Sequence, residues 1–415
     1  MLVIQSLIGL AVFTAIPYFL SENRNLANLK RLMAGICLQA ILAITFLKLP
    51  FLRQIFASLN DLVLILERAA TDGGSFMFGY LGGGTLPFAE MVSGKSYIIA
   101  FRVMPIVLVM SAVSAVLFHW GVIQFLVRIF SSLLQKTLKI SGIQGLSVSS
   151  SVFLGIVETP LFMRPYVNKM SRSTLFTMMT AAMATVAGTV MVLYAGILKT
   201  AVPDAMSHIL VASIISAPAA VVIAHLWIPE TARPEEEDRY LPVPESSSTM
   251  DALIRGTNDG MQLAIGIVGM IIVLFSFISL ANQLLAFFPT GSDQPLTIEY
   301  LASLPFRPIV WLMGIPWSEA PVAARLMGIK TVLNEFVSYQ RLAETPVEAL
   351  CEKSRIILTY AMCGFANLAS LALLTGSLTL MAPERRHEIS VLGLRSILAG
   401  TLATCMTGAI ISLII

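Results

Sequence analysis

Charge is what this 415-residue chain has least of: Lys, Arg, Asp and Glu make up 12% of it, where a soluble globular domain carries about 25%. Hydrophobic residues fill the gap, at 56%, with a mean hydropathy of +0.82. That balance excludes an ordinary soluble domain and points to a polytopic membrane protein. Basic blocks are lacking too. A net charge of +3 with no run of Lys and Arg excludes a nucleic-acid partner. The only cysteines, Cys37, Cys351, Cys363 and Cys405, are scattered without metal-ligand or redox spacing and read as buried thiols. Four dispersed histidines, His119, His208, His225 and His387, leave no nucleophile and base pair and no metal cluster for an intramembrane enzyme.

What is present is a series of apolar runs long enough to cross a bilayer, which takes about 20 residues. They begin at Leu2 to Leu20 and Leu32 to Leu49, and Arg24, Lys30 and Arg31 follow the first run, the reverse of a cleaved signal. Phe51 to Ala69 has apolar residues at helical spacing with charges between them, which suits a helix lying at the interface. The glycine-rich stretch Asp72 to Thr85 and the Gly94-Lys95-Ser96 that follows touch the loosest phosphate-loop pattern. They lack the strand and soluble helix that such a loop needs, and read as a flexible extramembrane connection. Further spans are predicted at Tyr97 to Trp120, Ser173 to Leu198, His208 to Ile228, Met261 to Phe288 and Ile356 to Leu380, with a last one ending at Ile415.

Two polar interruptions stand out in this lipid-soluble background. Lys330, Asn334 and Glu335 lie in Met327 to Tyr339, and Glu158 lies in Gly155 to Pro160, all among apolar neighbours. An idle carboxylate at bilayer depth costs several kcal/mol, so both glutamates are candidate functional groups. Each sits between apolar halves too short to cross, which predicts two re-entrant hairpins. Each is followed some 30 residues on by a weakened mid-span segment, Ala184 to Thr189 and Cys363 to Ser370. Such paired breaks point to a transporter built from two repeats.

The organisation that follows is an all-α polytopic membrane protein of about eight transmembrane helices with two hairpins. Residues 1–140 form scaffold and interfacial helices, 141–228 the first repeat, 229–260 a polar linker, 261–313 a scaffold span and connection, and 314–415 the second repeat. The distribution of Lys and Arg places both termini outside and makes the repeats inverted. A passive channel is the reading that discrete broken sites favour least, since a channel wants a continuous polar lining.

Several segments together carry a family resemblance: Asn334-Glu335-Phe336-Val337, Gly364-Phe365-Ala366-Asn367 with Ser370, Met381 to Arg386, Gly393-Leu394-Arg395, Trp311 to Gly314 and Phe101 to Pro105. The chain resembles the concentrative nucleoside transporters over nearly its whole length. The resemblance implies a homotrimer in the cytoplasmic membrane, each protomer importing a nucleoside with a cation. It also implies a sugar clamp of Glu335, Asn367 and Ser370 with Phe365 beside the ribose, Glu158 as the first hairpin's glutamate, and Val190 as an apolar wall against the base. Where the family has a polar pair before that glutamate, this chain has Ile156 and Val157. A same-fold symporter for another small polar substrate therefore stays open. The positions matching the family's sodium site are Ser151, Leu154, Thr185 and Val186. Serine at 151 in place of asparagine is similar to the proton-coupled bacterial branch, so the coupling cation is read as proton ahead of sodium.

Overall fold

A computed structural model describes residues 2–26, 28–89, 98–231, 246–287 and 296–415, and among them the regular structure is helical throughout. The first third comprises α1 (Leu2–Phe19), α2 (Leu29–Lys48), α3 (Pro50–Phe78), α4 (Ile99–His119) and α5 (Val122–Leu138). Next come α6 (Gly142–Phe153), the short α7 (Glu158–Phe162) and α8 (Arg164–Val167), then α9 (Arg172–Ala184), α10 (Gly188–Leu198) and α11 (Ala205–Trp227). The second half holds α12 (Thr249–Leu285), α13 (Ile298–Ser303), α14 (Phe306–Leu312), α15 (Ala320–Val332) and α16 (Glu335–Glu344). It closes with α17 (Glu352–Met362), α18 (Leu368–Met381) and α19 (Arg386–Ile414).

Helix starts follow the side chains that can cap them. Ser141 accepts from the Gln144 N–H, Ser171 from Thr174, Asn334 from Val337 and Asn367 from Ser370, each at 2.8–3.2 Å. A buried helix start would otherwise leave amide groups without acceptors where no water reaches. Polar residues inside apolar segments are thus partly explained by where the helices begin.

Among the described residues, five helices are long and apolar enough to cross a membrane unbroken: Leu29–Lys48, Ala100–His119, Ala205–Trp227, Thr249–Leu285 and Pro383–Ile414. The shorter α1 and the two interrupted pairs, α9 with α10 and α17 with α18, complete the eight spans expected. Three expectations need correction. The amphipathic helix α3 does not stop near Ala69 but runs through Gly73 and Gly74 to Phe78, so the first part of the glycine-rich stretch is helical. Gly74 packs against the Pro105 ring of α4, where a side chain would not fit, and this close approach explains glycine inside a helix. The second correction is that α12 begins at Thr249, capped by Ser248, and so takes the end of the stretch read as linker. Thirdly, Cys37 and Cys351 are exposed, and only Cys363 and Cys405 are buried. The Gly94-Lys95-Ser96 motif, the acidic run Glu235 to Asp238 and the Thr290 loop lie outside the described residues.

The same order of elements occurs twice. A 12-residue helix (α6), a break and a helix opening on Glu158 are followed by a broken pair and a long helix, α11; a 13-residue helix (α15), a break and a helix opening on Glu335 precede the same sequence ending in α19. Packing repeats as well. Helix α6 lies on α9 as α15 lies on α17, and α10 meets α16 as α18 meets α7. The long helices α11 and α19 are 89% and 83% buried across their most apolar windows, against 12% for α12, so the repeats enclose the core and α12 faces outward.

Candidate functional site

Glu335 is the first residue of α16, only 4% exposed, and both oxygens of its carboxylate are held. Oε1 accepts from the Tyr194 hydroxyl at 2.6 Å and Oε2 from the Asn367 amide at 2.8 Å. These bonds tie α10, α16 and the start of α18 together. Asn367 works at both ends of its amide, since its Oδ1 accepts the Ser370 N–H while its Nδ2 serves Glu335. A carboxylate offers about four lone-pair positions, so beyond Tyr194, Asn367 and the backbone N–H of Glu335 itself it keeps acceptor capacity for a ligand hydroxyl. Placement at a helix N-terminus favours the negative charge further. Phe365 is half-buried and Ser370 buried in the same broken segment, and Val190 is buried on α10, the helix that carries Tyr194.

In the first repeat the Glu158 carboxylate folds back over Gly155, where a Cβ would stand 2.0 Å from Oε2, so only glycine permits this conformation. Its helix α7 packs against α18, which brings the Glu158 and Asn367 segments to one region. Ile156 and Val157 part company: Ile156 is 8% exposed within the core, whereas Val157 is 38% exposed.

Ser151 and Thr185 meet directly. The Thr185 hydroxyl reaches the carbonyls of Ser151 at 2.7 Å and Ala181 at 2.8 Å, and the Ser151 hydroxyl donates to the Ser147 carbonyl at 3.0 Å. Ser213 of α11 lies 3.3 Å from the Val186 N–H and donates to the Val186 carbonyl at 3.4 Å. Leu154 closes α6 by donating its N–H to the Ser150 carbonyl. The four positions matched to a cation site thus gather around the ends of α6 and α9. The Ser151 and Thr185 hydroxyls donate their protons to backbone carbonyls and keep their own oxygen lone pairs, so the set presents hydroxyl and carbonyl oxygens of the kind a hard cation takes.

The two broken spans touch at their breaks. A Cβ on Gly364 would stand 2.7 Å from the Met183 carbonyl oxygen and 3.0 Å from the Ala184 carbonyl carbon. Sequence reading missed Tyr194, although a tyrosine in the middle of an apolar span is itself a signal, because its hydroxyl must find a partner. It also missed Ser213 and the set formed by Arg31, His225, Gln144 and Thr177, in which His225 bridges Arg31 at 2.5 Å and Gln144 at 2.7 Å. Among the described residues no cluster of His, Cys, Asp and Glu could hold a metal.

A bundle of apolar spans, two of them broken around buried carboxylate and amide groups and arranged as paired repeats, is the build of a membrane transporter. Residues 8–81 match the family model for the Na+ dependent nucleoside transporter N-terminus, residues 208–412 that for its C-terminus, and residues 100–201 the Gate model, described as nucleoside recognition. An uncharacterized transporter of Haemophilus influenzae is 34% identical, over 100% of this chain and 98% of its own length. The putative nucleoside permease NupX of Escherichia coli is 30% identical, over 98% of each. The structure of CNTnw in an inward-facing substrate-bound state superposes with a TM-score of 0.88 at 32% identity, covering 100% of this chain and 99% of that one. The chain belongs to the concentrative nucleoside transporter family, and it is a transporter rather than an enzyme.

Proposed function

We propose that the protein is a symporter that imports nucleosides across the cytoplasmic membrane with a proton as the coupling cation. The observation that carries the substrate reading is the Glu335 carboxylate, buried and held by Tyr194 and Asn367 with acceptor capacity to spare. A ribose hydroxyl would donate to it, Asn367 and Ser370 would complete the clamp, Phe365 would lie beside the sugar and Val190 against the base. Glu158 would serve the same ligand from the other repeat. The residues 141–228 and 314–415 would be the inverted repeats, their hairpins re-entrant and both termini outside. Homotrimers would cover part of the outward apolar surface.

The proton assignment is supported by Ser151, which stands where sodium-coupled members of the family carry asparagine, so the Ser151, Leu154, Thr185 and Val186 set lacks an amide oxygen. Sodium is the second reading, favoured by the match to Na+ dependent family models. Purified protein in proteoliposomes decides between them. Nucleoside is expected to accumulate when an inward proton gradient is imposed at symmetric sodium. Accumulation driven by sodium alone at symmetric pH would reverse the cation, and uptake that only equilibrates would reject symport.

A further inference from the structure

Lys330 takes no part in that reading, yet it is wholly enclosed, in the last turn of α15, and is among the largest fully buried side chains. Its ammonium donates to the Ala361 carbonyl at 3.4 Å and to the Thr404 hydroxyl at 3.5 Å, and neither partner is a carboxylate. Ala361 stands one residue before the end of α17 at Met362, so its carbonyl is one of those a helix leaves without an intrahelical donor. The ammonium therefore sits at the negative ends of two half-helices, its own and α17, with a hydroxyl from the long helix α19 beside it.

The first repeat has the same arrangement without the lysine. Helices α6 and α9 end at Phe153 and Ala184, neither has a basic residue in its last turn, and Ser213 of the long helix α11 reaches in at Val186. Their ends carry Ser151, Leu154, Thr185 and Val186. Half-helix C-termini and unwound carbonyls are where transporters hold coupling cations.

We infer that Lys330 is a tethered cation: its ammonium fills, in the second repeat, the place that the exchangeable coupling cation takes in the first. One repeat then exchanges its ion in each cycle, and the other carries its ion permanently. This leaves one exchangeable cation for each substrate. It also supplies a fixed positive charge near Glu335, five residues along the chain, without recruiting a second ion. The inference rests on the sodium reading given above, in which Ser151, Leu154, Thr185 and Val186 of the first repeat hold the exchangeable cation.

The test is thermal stability of the purified full-length protein without nucleoside, titrated with sodium chloride against choline chloride, for wild type, Lys330→Met and Lys330→Met with Thr185→Val. Because no substrate is present, failure of the nucleoside reading leaves this outcome untouched. Removing the ammonium is expected to lower the melting temperature in choline and to create a saturable recovery in sodium beyond any response of wild type. The recovery should persist when Thr185→Val disables the first-repeat site, which separates the two sites. A sodium response equal to that of wild type overturns the inference. If Lys330→Met does not yield folded protein, Lys330→Gln is titrated in the same way and decides by the same criterion.

Discussion

At the scale of single residues the proposed site centres on Glu335 and the two side chains that hold it. Glu335→Gln and Asn367→Ala are expected to cost about 2 to 5 kcal/mol in nucleoside affinity while the protein stays folded, since each removes one partner of a buried, charged hydrogen bond. Binding isotherms on purified variants measure this, and unchanged affinity in both would remove the clamp. Tyr194→Phe should weaken binding less, because Asn367 still orients the carboxylate. Ile156 and Val157 carry the selectivity question. Apolar surfaces separate ligands by only about 1 to 3 kcal/mol, so purine and pyrimidine ribonucleosides should compete within roughly ten- to a hundredfold of each other. Restoring polarity by Ile156→Gln with Val157→Thr should sharpen the preference. Of the two, the exposed Val157 is the better placed to meet a ligand, and Ile156 packs in the core. Glu335 and Glu158 were legible because lipid penalises unemployed carboxylates. Their partners were less so, because a tyrosine or lysine declares its use only when the atom it touches is known.

Elements explain why breaks matter more than lengths. Thr185 to Ala187 and Cys363 to Asn367 interrupt two spans, and the interruptions pack on each other through Gly364. Gly364→Ala would push a methyl group against backbone at 2.7 Å, which cannot swing aside as a side chain would. A loss of about 1 to 3 kcal/mol is expected, read as a lower melting temperature, since overpacking of a tight contact costs that much. No change would mean that the breaks are not locked together. Small and hydroxyl-bearing residues betrayed both breaks in the sequence. The continuation of α3 through Gly73 and Gly74 was not legible, because glycine signals a turn as readily as a close helix contact.

Across the whole molecule the two halves are joined by charge on one face. Glu22, in the turn after α1, binds Arg172 at the start of α9 at 2.9 Å and Arg395 of α19 at 2.5 Å, and Glu388 pairs with Arg172 and Arg385. The hydrogen bond from Arg172, followed by that from Arg395, holds the Glu22 carboxyl below its ordinary value of 4.5 against the opposing effect of burial. Its contribution to stability is therefore present above pH 4.5 and is lost as pH falls through the depressed folded-state value. Glu22→Gln should melt below wild type at neutral pH, and the difference should vanish in acid. The effect should be modest, because the partly exposed pairs are screened. A difference that persisted unchanged in acid would show that Glu22 acts through packing.

Composition and the order of apolar runs determined by themselves that this is a membrane protein of about eight helices in two repeats. A bilayer demands long apolar helices and tolerates polar groups only for cause, so lipid writes its constraints locally into the chain. What occupies the space around those polar groups was decided only by tertiary structure. Tyr194 reaches Glu335 across 141 residues and Lys330 reaches Thr404 across 74, and no local pattern records either meeting. Hydrogen bonding is a short-range force, and the distances that govern it are set by how helices far apart in sequence pack together.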